Sequence, residues 1–460
     1  MTMPLTSANP ATGKPLSSYP EHSDEQIGQL LQQVHRDWQG WRRTPLATRA
    51  ELMRQAGRRL REQAESLARL MAQEMGKPIA QGRSEVEKCA WVCEYYADQA
   101  AAFLQAEPVA TDAAKSYVSF EPLGVILAVM PWNFPFWQVF RAAAPALMAG
   151  NAVVLKHASN VTGCALAIER LLREAGLPEH LLRVALITSS RVATLIEHPL
   201  ISGITLTGSS AAGSAVAALA GRHLKKTVLE LGGSDPYLIF DDADLEPTVE
   251  VCVNSRLLNN GQSCIAAKRF IVMKAIRRRF EQRMVELMRA RIVGDPLDET
   301  VQVGPLARHD LRDALHDQVV RSVKHGATAL LGAAVPDSPG AYYPPTVLSG
   351  VTKGMPAFDE ETFGPVAAVI EAADEADAVR LANDSSFGLG AAVFTRDLAR
   401  GEWIAATELQ AGCCFVNAVV RSDPRLPFGG VKQSGYGREL SVFGIREFVN
   451  IKTVYMAAPQ

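Results

Sequence analysis

At 460 residues the chain is too long for a single hydrophobic core, which stops growing at about 250–300 residues, so two or more domains are expected. Forty-seven basic against 49 acidic side chains leave a net charge of −2, without the positive field that DNA, RNA or another polyanion requires. The composition, 48% hydrophobic and 21% charged, is that of an ordinary soluble globular protein.

Met1-Thr2-Met3-Pro4-Leu5 opens a segment with no basic stretch followed by an apolar one, so no secretory signal is expected. The most apolar run, Gly124 to Trp137, is broken by Pro131, Asn133 and Pro135 and is shorter than the ~18 residues of a membrane span. These features and seven scattered cysteines predict a cytoplasmic protein without a disulfide framework, membrane contact or nucleic-acid partner. Cys89 and Cys93 are spaced i, i+4 on a predicted helix, as metal ligands can be. No comparable Cys/His pair accompanies them, so they read as buried thiols and no metal site is expected.

Ser23-Asp24-Glu25-Gln26 has the form of a capping box, and Ile27, Leu30, Leu31 and Val34 then take helical spacing. Helical pattern continues to about Gln105, with its clearest break at Gly76-Lys77-Pro78. From Tyr117 the period changes. Short apolar runs at 125–130, 152–155, 183–187, 204–207 and 227–229 predict buried strands, alternating with helices at 135–149, 160–175 and 210–220. The alternation resumes after Glu230: strands at 236–240 and 268–273, helices at 244–258, 275–291 and 308–325. Such alternation implies parallel sheets covered by helices, the layout that binds nucleotides at the carboxyl ends of its strands. Residues 448–455 predict a last strand with no helix after it.

The chemistry is concentrated in four ordered motifs. Pro131-Trp132-Asn133-Phe134-Pro135 comes first, followed by Leu229-Glu230-Leu231-Gly232-Gly233, Asn260-Gly261-Gln262-Ser263-Cys264-Ile265-Ala266 and Glu360-Glu361-Thr362-Phe363-Gly364-Pro365. A thiol at Cys264 and a carboxylate at Glu230 are a nucleophile and a general base. Each motif alone has a bland alternative: Cys264 a buried thiol, Glu230 a strand-end carboxylate, Asn133 a helix cap. Taken together, and over nearly the whole chain from about Leu5 to Tyr455, they resemble the aldehyde dehydrogenase superfamily.

That resemblance implies an α/β, aldehyde-dehydrogenase-like fold: two doubly wound α/β lobes plus a β oligomerisation arm. Residues 1–106 and 125–229 would form the cofactor-binding domain, 230–430 the catalytic domain, and 107–124 with 446–460 the arm of a homodimer or homotetramer. Cys264 would attack an aldehyde carbon to form a thiohemiacetal, which expels hydride. Glu230 would then activate the water that hydrolyses the thioester to a free acid. Asn133 would donate to the oxyanion beside the Cys264 N–H, a stabilisation of about 3–4 kcal/mol in comparable sites.

The resemblance also places the cofactor, NADP or NAD. Gly208 and Ser209, in a G-x-x-x-x-G turn that alone is no more than a turn, would lie at the pyrophosphate, with Glu361 and Phe363 at the nicotinamide-side ribose and ring and Trp132 and Leu231 also binding the cofactor. Lys156 and Ser159 would meet the adenosine ribose. There the chain departs from the common pattern, which has proline after the lysine and often glutamate at the serine. A carboxylate would repel a 2′-phosphate and serine does not, so NADP is accepted.

Arg141, eight residues beyond Asn133, aligns with a tunnel position that is often aromatic in relatives taking uncharged aldehydes. With Ser263 and Ser422 it makes an anion clamp for the substrate, the alternative being a surface arginine and two loop serines. In these features the chain looks most like the bacterial succinate-semialdehyde dehydrogenases. Other semialdehydes, an uncharged aldehyde, a cysteine acyltransferase without redox chemistry and a non-catalytic member of the fold are the remaining readings.

Overall fold

Ser23 accepts from the Gln26 N–H, and the Gln26 side chain accepts in return from the Ser23 N–H, the reciprocal box that the sequence predicts. It opens the helix Asp24–Trp41, whose Ile27, Leu30, Leu31 and Val34 are buried as one stripe. In this computed structural model, which describes residues 4–459, the helices Leu46–Glu62, Ala64–Met75 and Ile79–Phe103 follow. Residues 1–3 of the N-terminal reading and residue 460 of the predicted arm lie outside the described residues. Gly76, at φ 78°, ends the third helix at the predicted break, where a side chain would strike the Pro305 carbonyl. Cys89 and Cys93 are buried in the fourth helix, as expected.

The first sheet carries six strands in the order Gly435–Tyr436, Lys226–Glu230, Ile201–Thr207, Val125–Met130, Ala152–His157 and Leu182–Val184. All are parallel except the two-residue Gly435–Tyr436, which runs back along Leu229 and Glu230. The strand expected at 183–187 is shorter, because it is an edge that pairs only with 153–155. The one expected at 204–207 is longer, because it pairs on both sides. The helix expected from residue 135 begins at Trp137, so Pro135 is not its first residue. Its free N–H groups, those of Phe136 and Trp137, both donate to Glu85 Oε1 at 2.9 Å, a cap supplied from another helix.

The second sheet has seven strands, in the order Thr328–Leu331, Thr346–Ser349, Val366–Ala372, Arg269–Met273, Pro236–Ile239, Gly390–Phe394 and Cys413–Val416. Only Thr328–Leu331 is antiparallel. Among its helices are Leu245–Leu257, Arg277–Arg289 and His309–Lys324, each within two residues of its predicted bounds. A third, antiparallel sheet pairs Val449–Met456 along the full length of Lys115–Pro122, with Glu107–Pro108 at the far edge. Among the described residues no helix is long and apolar enough to cross a membrane.

Candidate active site

Three strands of the first sheet end at one place. Val125–Met130 runs into Pro131, Trp132 and Asn133, Ile201–Thr207 into Gly208 and Ser209, and Lys226–Glu230 into Leu231. Val125–Met130 has the next strand in sequence on one side and Ile201–Thr207 on the other, so the strand order reverses here. Open parallel sheets bind ligands in the crevice at such a point. Cys264, Glu361 and Phe363 close it from the other half of the chain, and the residues together line a cavity of about 210 Å³.

The loop that carries Cys264 is polar and yet buried, which the sequence did not disclose: Asn259, Asn260, Gly261 and Gln262 have almost no exposure. Its side chains are spent on backbone. Asn260 Nδ2 donates to the Gly76 and Pro305 carbonyls, while Asn260 Oδ1 and Gln262 Oε1 accept from the Gly304 and Ala307 N–H groups. Gly261 lies against Gly364 so closely that a Cβ would come within 2.2 Å of its carbonyl, and its φ of 78° also favours glycine. Lys268, to which the sequence reading gave no role, donates from Nζ to the carbonyls of Ser263, Cys264 and Ala266 at 3.0, 2.7 and 3.3 Å. A lysine four residues after the cysteine, just beyond the apolar Ile265-Ala266-Ala267, was the available signal.

Burial pushes the Cys264 thiol up to about 12, against the pull of the Arg141 and Lys268 cations. Glu230 is 2% exposed, and neither carboxylate oxygen has a hydrogen-bond partner among the described residues. Burial first and the neighbouring Glu439 second hold its carboxyl well above the usual carboxylate range. Gly429 makes room for it, since a Cβ there would meet Glu230 Oε1 at 2.8 Å. Such a carboxyl holds a proton more readily than a solvated one.

Asn133 does not cap the following helix, which Glu85 does. Its Nδ2 donates to the Gln262 carbonyl at 3.1 Å, and Asn259 Nδ2 holds the Asn133 carbonyl at 2.6 Å. One amide hydrogen of Asn133 and the N–H of Cys264 have no acceptor among the described residues.

On the cofactor side, Trp132, Gly208, Ser209, Leu231, Glu361 and Phe363 all line the Cys264 cavity. Ser209 caps the helix Ser210–Arg222, accepting from the Ala212 N–H at 3.3 Å. Gly213 has no room for a side chain because Leu231 fills its place. Phe363 meets Trp132 edge-on at 5.7 Å, and Glu361 Oε1 accepts from the Gly233 N–H at 3.0 Å. Lys156 and Ser159 do not line this cavity; they stand at the end of Ala152–His157. Lys156 is buried without an acidic partner among the described residues, burial alone lowers its affinity for a proton, and Ser159 beside it is exposed. His157, where the common pattern has proline, donates from Nε2 to the Pro135 carbonyl at 2.9 Å and ties this strand end to the Asn133 loop.

Arg141 is deeply buried and not a surface residue, but its guanidinium is already committed. It pairs through Nε with Glu439, donates from Nη2 to Thr207 Oγ1 at 3.3 Å and lies 4.8 Å from the centre of the Phe428 ring. The sequence reading had it free for a ligand; a guanidinium this deep requires a counter-charge, and Glu439 supplies it. Glu439 is held opposite Phe428 by two backbone hydrogen bonds of 2.7 Å, close after the Pro427-Phe428-Gly429-Gly430 motif. Ser263 is buried beside Cys264, and Ser422 accepts from Trp137 Nε1 at 3.2 Å.

Comparison with known proteins agrees with this arrangement. The profile of the aldehyde dehydrogenase family matches residues 2–454. The chain is 47% identical over 449 residues to an Escherichia coli succinate semialdehyde dehydrogenase named for NAD(P)+, covering 98% of this chain and 97% of that one. It is 46% identical over 458 residues to a Mycobacterium ulcerans succinate-semialdehyde dehydrogenase named for NADP(+), covering 99% and 100%. Its fold matches the crystal structure of succinic semialdehyde dehydrogenase from Streptococcus pyogenes in complex with NADP+, with a TM-score of 0.96 at 36% identity over 98% of this chain and 100% of that one.

Proposed function

The chain belongs to the aldehyde dehydrogenase family, and we propose that it oxidises succinate semialdehyde, or a close ω-carboxylated aldehyde, to the free acid with NADP or NAD. The observation that carries this reading is the buried Glu230 carboxyl, free of hydrogen-bond partners, in one electrostatic neighbourhood with the Cys264 sulfur.

The Cys264 thiol is protonated at neutral pH, so attack requires its proton to leave. Glu230, whose buried carboxyl has a raised proton affinity, is the acceptor that the chain itself offers. The sulfur adds to the aldehyde carbon, and the oxygen that becomes negative takes hydrogen bonds from Asn133 Nδ2 and the Cys264 N–H. Trp132, Gly208, Ser209, Leu231, Glu361 and Phe363 would hold NADP or NAD, which would supply the hydride acceptor for the thiohemiacetal carbon. Glu230 passes that proton to solvent and then takes one from the water that attacks the thioester; the acid leaves, and the expelled thiolate regains its proton from Glu230. The sum is aldehyde, water and NAD(P)+ giving acid, NAD(P)H and a proton.

Lys156, a buried cation without a carboxylate partner, and Ser159, which does not repel a phosphate, suit the 2′-phosphate of NADP. Residues 1–106 and 125–229 serve as the cofactor unit and 230–430 as the catalytic unit, and 107–124 with 446–460 join copies of the chain into a homodimer or homotetramer in the cytoplasm. The test is steady-state kcat/KM for succinate semialdehyde, glutarate semialdehyde and butanal with each cofactor. Preference for a semialdehyde supports the reading, and equal or better use of butanal overturns the substrate assignment.

A further inference from the structure

A second cavity, of about 410 Å³, opens between the helix Ile79–Phe103 and the loop before Pro427, and shares no lining residue with the Cys264 cavity. Lys88, Trp91, Arg421, Ser422 and Arg425 are among its walls. Arg425 is paired with Asp423 at 2.7 Å. Lys88, partly buried, has no carboxylate within 4.0 Å among the described residues. Its Nζ donates to Ser422 Oγ at 2.8 Å and lies 4.3 Å from the centre of the Trp137 ring, whose own Nε1 donates to the same oxygen at 3.2 Å. Ser422 Oγ therefore accepts twice, and its hydroxyl hydrogen has no acceptor among the described residues.

Glu87, also in the wall, is paired with Arg61 at 2.8 Å, so the polar groups left without a charged partner among the described residues are donors: the Lys88 ammonium and the Ser422 hydroxyl, set against an indole. Arg141, one helical turn beyond Trp137, adds a like charge that acts on Lys88 and on Cys264. Two partly desolvated cations repel, and an anion bound at Lys88 relieves that cost. Arg141 already has Glu439, whereas Lys88 has no carboxylate partner among the described residues.

We propose that Lys88 is a specificity-determining residue, its ammonium and the Ser422 hydroxyl holding the substrate's terminal carboxylate. The proposal rests on the ω-carboxylated aldehyde reading and names the residue that enforces it.

The test is kcat and KM for succinate semialdehyde and butanal in wild type, Lys88→Met, Lys88→Gln and Lys88→Arg. Lys88→Met and Lys88→Gln should each lower the semialdehyde-to-butanal ratio of kcat/KM by roughly 30-fold or more, mostly through KM, as expected for a lost charge-assisted contact. Lys88→Arg should restore most of it. Burial and Arg141 bring the Lys88 ammonium down to about 8, with Cys89, Glu85 and Asp423 acting the other way. The wild-type KM for the semialdehyde should accordingly rise above that pH, and the Lys88→Arg KM should not. A wild type that prefers the semialdehyde together with variants whose ratio moves less than about threefold overturns the Lys88 assignment alone. A wild type without that preference overturns the substrate reading and this assignment with it.

Discussion

Cys264 and Glu230 act on one reaction but should fail in different ways. Cys264→Ser removes the sulfur that forms the covalent adduct and touches nothing on the adenosine side, so turnover should be abolished while NADPH still binds. Turnover near the wild-type rate would reassign the nucleophile. Glu230→Gln keeps the volume of a buried side chain and loses the proton acceptor. Rapid mixing should then show a first burst of NADPH, smaller or slower than wild type, followed by slow turnover as the thioester waits for water. An unchanged steady-state rate would remove Glu230 from the base role. On the cofactor side, Ser159→Glu sets a carboxylate beside Lys156, which has no acidic partner now. It should weaken NADP use far more than NAD use, because the new charge repels the 2′-phosphate and also occupies the lysine. Equal losses with both cofactors would mean that the adenosine ribose lies elsewhere.

At the scale of elements, the sequence disclosed whatever depends on a local period or a local cap. The capping box at Ser23, the break at Gly76 and the strand Val125–Met130 fall where periodicity and turn chemistry put them. The start of the helix after Asn133 was misplaced because its cap is not local: Glu85 reaches it from a helix some fifty residues away in sequence, and Lys77 is buried to balance that carboxylate. The same holds for Arg141, whose partner Glu439 lies near the other end of the chain. Residue types at motif spacing told which side chains gather at the carboxyl ends of the strands, but not which charges would neutralise one another. The Glu85 arrangement is open to test. Glu85→Gln leaves the Lys77 ammonium buried without its counter-charge, a change that costs about 3–5 kcal/mol in comparable pairs. The thermal midpoint should fall clearly, and kcat/KM should drop with it because the Asn133 loop is anchored by the same helix start. Lys77→Met combined with Glu85→Gln should recover part of the lost stability. A single variant that melts with the wild type would show that the pair carries no structural weight.

On the scale of the whole molecule, the third sheet suggests assembly. Val449–Met456 lies at its edge, paired on one side only, and leaves Ile451, Tyr455 and Met456 more than half exposed. Unpaired edges that display apolar side chains are surfaces that natural proteins cover. Ile451 and Tyr455 are four residues apart on a strand and so share one face. Placing charge on that face, as Ile451→Asp with Tyr455→Asp, should therefore convert a dimer or tetramer to a smaller species by sedimentation. Neither residue lines the Cys264 cavity, so the dissociated chain should still bind NADPH, which separates a lost interface from a lost fold. A wild-type chain that sediments as a monomer would refute the oligomerisation arm outright. An assembly that survives both charges would move the interface away from this face of the sheet.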